Sequence, residues 1–415
     1  MTSRRPLAAL LAADAVSVMG NTIALLAIPW FVLETTGSAG RTGITAAVTI
    51  LPVVVSSAFG SALVDRLGFR RTSVIADIAS AATVAAIPLL HTTVGLQFWQ
   101  LLVLVFLGGL LDAPGTTARR ALLPELRGTT SLERVTSAHD GVWRGARMLG
   151  GPIAGVLLAV MGPTQALYVD AATFVISALL VGFAIPRTPW SHAPEPWSVR
   201  GYLTEVREGF AFVRRDPLLR AMIWMVMVTN MLDQAMSGVL VPVYADRVLD
   251  SSVDLGLIVG VFGGGALLGT FVYGIVGYKL PRRVTYIVAF LIAGPPRYFV
   301  MAATGSLAPV LIAGAIAGFA AGALNPILSS AEYRRIPERL LGRVLGVLTA
   351  GVFIAMPIGA LAGGYLVEVL GLQPTLLICG AAYLVTVLVP VVSPTWRALD
   401  DDAPTPVAAG EPAAA

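Results

Sequence analysis

Apolar residues run in blocks of about 20 along nearly the whole chain, each long enough to cross roughly 30 Å of hydrocarbon as a helix. The blocks predict twelve spans, at 7–33, 42–64, 72–90, 97–117, 140–161, 164–185, 218–244, 253–278, 284–303, 308–330, 344–370 and 373–392. Polar stretches separate them. Ala118–Ala138, with four arginines and two glutamates, is too polar to span and reads as a surface segment. Pro186–Arg220 breaks the pattern with prolines, tryptophans and charges. Within it, Val199–Val213 sets Tyr202, Val206, Phe210 and Val213 at helical spacing against Arg207, Glu208 and Arg214, the pattern of an amphipathic helix on a membrane surface.

The pattern divides the chain into an N-terminal six-helix bundle (1–185), a cytoplasmic linker carrying the amphipathic helix (186–217), a C-terminal six-helix bundle (218–392) and a disordered cytoplasmic tail (393–415). The fold class is therefore all-α and polytopic. The two bundles look alike. Leu111-Asp112-Ala113-Pro114, with Arg119-Arg120 and Pro124-Glu125 after it, is echoed by Leu324-Asn325-Pro326, Arg334-Arg335 and Pro337-Glu338. Gly151-Pro152-Ile153 is echoed by Met356-Pro357-Ile358. Two such halves place a central site near the bilayer midplane, at their interface.

Composition agrees. Of 415 residues, 56% are hydrophobic and only 13% charged, where a soluble domain is nearer a quarter charged. Nearly all the basic residues fall in alternate connections, with only Arg41 and Arg247 between them on the other side, which sets both termini in the cytoplasm. The charge therefore needs no nucleic-acid partner. The N-terminus leads into an apolar segment without a small-residue cleavage site, so it reads as a first span. The one cysteine, Cys379, lies in an apolar run and gives no disulfide framework. His91, His139 and His192 are scattered near loops, no metal cluster is spaced along the chain, and no phosphate-binding glycine loop occurs. No catalytic residues, metal or cofactor are expected, and the chain does not read as an enzyme.

Between the second and third blocks stands Gly60-Ser-Ala-Leu-Val-Asp65-Arg66-Leu-Gly68-Phe-Arg70-Arg71. Gly60, Asp65-Arg66, Gly68 and Arg70-Arg71 resemble, in order and spacing, the loop between helices 2 and 3 of the major facilitator superfamily. In that family the acid is a conformational latch, docking on the cytoplasmic end of helix 11 in the outward-facing state. By this reading Gly274 stands where the second half would carry its own acid, between Gly269 and Gly277. Gly20-Asn21, Ile28-Pro29-Trp30, Asp112-Ala113-Pro114 and Tyr168-Val169-Asp170-Ala171-Ala172-Thr173-Phe174 are similar to the macrolide-efflux and Tap-like multidrug branch of drug:proton antiporters. Gly151, Pro152 and Gly155 partly match its helix 5 antiporter motif, with Arg147 and Val156 where that motif has Gly.

The resemblance implies proton-coupled secondary active efflux of small amphipathic drugs across the cytoplasmic membrane, by a monomer with lipid around it. Export of an endogenous siderophore or secondary metabolite, or nutrient import, are the alternatives. Ionisable groups inside spans are costly and so are candidate sites. Asp112 is the first candidate proton carrier, against a fixed bridge to Arg144 or Arg147. Asp14, Asn21, Asp233 with Asn230 and Gln234, and Asn325 complete the candidate cavity. The position of Asn21 is often Asp in this branch, and an amide carries no titrating proton. Asp140 and Arg144 are spaced as an i,i+4 pair, Asp170 reads as a structural hydrogen-bonding group, and Arg297 as a residue snorkelling to the outer interface.

Overall fold

The computed structural model describes residues 5–186 and 199–400, the side chains of 53–66, 199–200, 202 and 203 excepted. Residues 1–4, 187–198 and 401–415 lie outside it, and with them part of the predicted linker and most of the predicted tail. Every regular element described is helical. The first half holds α1 (Arg5–Thr36), α2 (Ala39–Leu67), α3 (Phe69–Thr93), α4 (Phe98–Leu126) and α5 (Leu132–Ala184). α5 is two arms: at Gly162, φ 77° and ψ 168° break the helix. α6 (Val199–Arg215) follows. Then come the helical runs α7 (Pro217–Leu249), α8 (Ser252–Lys279), α9 (Arg282–Ala303), α10 (Leu307–Arg335), α11 (Glu338–Leu370) and α12 (Leu372–Val392). With the arms of α5 counted separately and α6 set aside, these are the twelve predicted spans.

The loops alternate between two ends of the bundle. One carries the α1–α2 turn at Gly37, the other the α2–α3 turn at Gly68, whose φ of 75° only glycine adopts at little cost. α4 departs from expectation. It runs on to Leu126, because Leu122 and Leu123 are buried with Ala118, and so it takes Arg119 with it into the bundle. The predicted surface segment thus shrinks to the α4–α5 turn.

The two halves repeat, in a register that the sequence echoes miss. α4 and α10 are both 29 residues long, and from Phe98 to Leu307 is 209 positions. The same step carries Leu132 to Leu341 and Gly162 to Gly371, which has φ 88° and ψ 168°. Across α2/α8 and the start of α3/α9 the step is 213, from Ala39 to Ser252 and Phe69 to Arg282, with α7 carrying two π-helical stretches that take up inserted residues. Asp112 therefore answers to Ala321 rather than Asn325, Gly151 to Ala360 rather than Met356, and Gly68 to Pro281 rather than Gly277.

The halves join at the Gly37 end through two crossings, α2 with α11 and the first arm of α5 with α8. A Cβ on Gly43 would stand 2.5 Å from the Ala360 carbonyl oxygen, and one on Gly155 would stand 2.9 Å from Gly256 Cα. Such close backbone approach is how helices associate where no hydrophobic drive separates them from lipid. Toward the Gly68 end, among the described residues, nothing lies within 4 Å of where a Cβ would be at Gly141 and Gly145 of α5 or at Gly342 and Gly346 of α11. The described residues thus join the halves at the Gly37 end and leave open space beside α5 and α11 at the other.

α6 lies against the inner part of α11. Gly209 sits on the Arg343 carbonyl, Val213 is buried with Val344 and Leu348, and Arg343 Nη1 meets Glu208 Oε2 at 2.5 Å. Val206 and Phe210 of its predicted apolar stripe stay exposed. The predicted tail also starts later than expected. Pro394–Leu399 forms a 3-10 turn with Trp396 buried and stacked on Tyr286, ring centroids 5.7 Å apart, because the indole fills an apolar slot that solvent cannot.

Candidate functional site

The first half is built around Arg119, a guanidinium 1% exposed in the helical bundle. Its Nε donates to Asp14 Oδ1 of α1 at 3.0 Å, Nη1 to Asp77 Oδ1 of α3 at 2.7 Å and Nη2 to Ser17 Oγ at 3.0 Å. Ser177 Oγ, on the second arm of α5, donates to Asp77 Oδ2 at 2.7 Å. Asp14 Oδ2 then meets His139 Nε2 at 2.5 Å. The cluster ties four helices through charge-assisted hydrogen bonds.

Asp14 was legible from sequence; Arg119, Asp77, Ser177 and His139 were not singled out as site residues. Asp77 is an acid inside an apolar run, flanked by Ser73 and Ser80 at helical spacing, which is the signal that marks it. Arg119 hides in a stretch whose charge density looks like a loop. His139 sits beside a predicted boundary and differs from a loop histidine only by burial.

About two helical turns before Arg119 on α4, Asp112 accepts a hydrogen bond on Oδ2 from Asn21 Nδ2 at 3.2 Å, joining two predicted site residues. Its Oδ1 is buried without a hydrogen-bond partner. The alternative bridge to Arg144 or Arg147 is not formed. Arg144 is exposed, and Arg147 stacks on Trp143 with its guanidinium carbon 4.8 Å from the ring centre. The Asp140–Arg144 pair is likewise replaced: Asp140 Oδ1 lies 3.5 Å from His139 Nδ1. Asp170 is fully buried, with Thr173 as its hydrogen-bonding neighbour. Of the helix 5 motif, Gly151 and Gly155 serve the crossing with α8, where Pro152 also packs on Gly260.

In the second half, Asp233 Oδ1 takes a 2.6 Å ion pair from Arg297 Nη2, and Oδ2 accepts the Tyr383 hydroxyl at 3.2 Å. Arg297 does not snorkel outward: Gly294 and Pro295 break α9 just before it and turn it inward over Phe262, 4.7 Å from the ring centre. Asp233 lines two cavities. One, of about 270 Å³, lies toward the Gly37 end between Phe262, Arg297, Met301 and Val310. The other, of about 340 Å³, lies toward the Gly68 end and brings together Asn230, Asn325, Glu332, Tyr286 and Phe290. Asn230, Asp233 and Asn325 thus share one cavity wall, and Gln234 is not among the residues that line it. Glu332 was not foreseen, lying near the charged end of its span.

Of the predicted latch, Gly60, Asp65 and Arg66 have side chains outside the described residues. Arg70 Nη2 donates to the Gly182 carbonyl, which ties the α2–α3 turn to α5, and Arg71 is exposed.

Comparison with known proteins adds the following. The family model for the Major Facilitator Superfamily matches residues 10–247 and again 223–413. The multidrug efflux pump Tap of Mycolicibacterium fortuitum is 33% identical over 96% of this chain and 98% of its own length. Macrolide efflux protein A of Streptococcus pyogenes is 21% identical, covering 92% and 94%. Among solved structures, the nucleoside transporter NupG (D323A mutant) superposes with a TM-score of 0.78 at 10% identity, covering 93% of this chain and 99% of that one, a likeness of fold.

Proposed function

We propose, from the premise that this chain belongs to the Major Facilitator Superfamily, that it exports small amphipathic drugs across the cytoplasmic membrane in exchange for protons. The family is one of transporters. The basic residues crowding the Gly68 end support reading that end, and both termini with it, as cytoplasmic. The described state is then open to the cytoplasm and closed outside, ready to load cargo from within. Rocking of the two halves, which parts the Gly37-end crossings while the Gly68 ends come together, alternates access.

The observation that carries the coupling is Asp112. A carboxyl group within a span, held by one neutral amide and with its second oxygen buried and unpartnered, can take or give a proton without breaking an ion pair. It stands on the helix that also holds Arg119, so its charge is felt by the cluster that locks α1, α3, α4 and α5 together. Cargo is read as binding on the facing wall, along Asn230, Asp233 and Asn325. Asp65, with Gly60, Gly68 and its arginines, is the proposed latch of the opposite, outward-facing state.

The test is growth inhibition of a susceptible host across macrolides, tetracyclines and ethidium, with and without the chain, and with a protonophore. Export predicts raised tolerance that the protonophore abolishes. Asp112→Asn should retain drug binding and lose proton-driven efflux; counterflow still coupled to protons in that variant removes Asp112 from the role.

A further inference from the structure

We propose that His139 is the relay through which the buried carboxylates of the first half release protons to water at the Gly68 end, a role that rests on the proton-coupled reading above.

The repeat makes the argument. At the 209-position step Asp14, Arg119 and His139 answer to Ile223, Leu328 and Leu348, and at the 213-position step Asp77 answers to Phe290. In the second half that place is packed with apolar side chains, with Glu332 on the wall of the neighbouring cavities. Joining helices there needs no charge, and buried ion networks bring little stability over apolar packing of like volume. The first half keeps four ionisable groups at the same place, and holding helices together does not account for them.

The geometry leads outward. Asp14 is 3% exposed at its side chain, His139 4% and Asp140 65%. His139 is the group between the buried acid and the wet one, touching Asp14 through Nε2 at 2.5 Å and Asp140 through Nδ1 at 3.5 Å. An imidazole is the side chain that binds and gives up protons near neutral pH, and its two nitrogens face two directions. The charged groups around it are Asp14 of α1, its own neighbour Asp140, and Arg119 and Arg120 of α4. Asp14 and Asp77 against Arg119 leave one negative charge in the cluster, which an imidazolium cancels.

The step balances. A proton on Asp14 Oδ2 passes to the lone pair of Nε2, giving an imidazolium. Nδ1–H then releases its proton to Asp140, which passes it to water, and the ring returns to its first tautomer by exchange with solvent. Asp14 regains its charge, and with it a full ion pair to Arg119.

The experiment uses the full chain in liposomes with a pH-sensitive dye inside, driven by a gradient of erythromycin, or of ethidium where erythromycin is not moved. Wild-type drug flux without proton flux overturns the coupled reading and the relay together. With coupled wild type, the relay predicts proton flux at least tenfold slower in His139→Gln and His139→Ala, drug binding retained, and recovery of the Ala variant by added imidazole. Unchanged flux in both variants, or loss that imidazole does not restore, overturns the relay and leaves the coupled reading standing. Should neither variant insert, Asp140→Asn decides: slower proton flux supports the relay, and unchanged flux overturns it.

Discussion

Glu368, in the last turn of α11, accepts the backbone N–H of Gly40, in the first turn of α2, at 2.8 Å, and the Ser38 hydroxyl at 3.2 Å. A carboxylate from one half thus caps a helix N-terminus of the other, where free N–H groups and the helix dipole favour negative charge. The proposed latch at Asp65 is the same device turned over: there an acid at the far end of α2 would dock on the near end of α11. By that proposal the two pairs belong to opposite faces and opposite states.

Removing the outer cap should therefore favour outward opening. A surface carboxylate at a helix N-terminus contributes about 0.3–1 kcal/mol, so Glu368→Ala should raise the outward-open population about two- to fivefold. Glu368→Gln, which keeps an acceptor, should do less. Labelling of a cysteine placed in the outer half of the cavity reads the shift, and equal labelling in all three proteins would remove the cap from the closing mechanism. High salt should shrink the difference.

The glycine crossings predict a larger effect. At Gly43 a methyl group meets backbone, the Ala360 carbonyl oxygen at 2.5 Å, and not the end of a flexible side chain. Gly43→Ala must push α2 and α11 apart, and overpacking of this kind costs about 1–3 kcal/mol. Spin labels on the outer ends of α2 and α11 should report a longer distance, and transport should slow. Gly141→Ala, with open space around it, should leave both unchanged.

Asp233 and Arg297 form a pair open enough to the cavities that solvent weakens it, with side chains 37% and 15% exposed. Arg297→Met leaves the acid with only Tyr383 to hold it. Adding Asp233→Asn should restore part of the lost melting temperature in detergent. A coupling of about 1–3 kcal/mol between the two positions is expected for contacting charges. Additive losses would show that the pair does not hold α7 to α9.

The fold was legible in the sequence because lipid allows few structures, and apolar blocks of span length leave little choice. The turn at Gly68 and the opposing acids on α1 and α4 were legible for the same reason, being polar exceptions in apolar runs. Arg119 was not, because one buried arginine beside exposed Arg120 has the same local composition as a loop. Nor was the true repeat register, since Leu-Asn-Pro and Met-Pro-Ile look like their supposed partners, while the contacts that make Gly155 and Gly364 counterparts, with Gly256 and with Gly43, show only in the fold. The inward turn of Arg297 depends on the break at Gly294, whose direction no spacing rule supplies.

That repeat also permits a test of what the charges are for. Arg119→Leu alone strands Asp14 and Asp77 in the bundle, and breaking a buried ion pair from one side costs about 3–5 kcal/mol. It should insert poorly or melt early. Replacing all four groups with their second-half counterparts, as Asp14→Ile, Asp77→Phe, Arg119→Leu and His139→Leu, removes the stranded charges and supplies the apolar set that this protein already packs at Ile223, Phe290, Leu328 and Leu348. The fourfold variant should then melt at or above the single variant's temperature and still bind cargo at the facing wall, yet move drug without protons. If the fourfold variant remains proton-coupled, the cluster is scaffolding, and Asp112 must exchange its proton by a route that avoids Arg119.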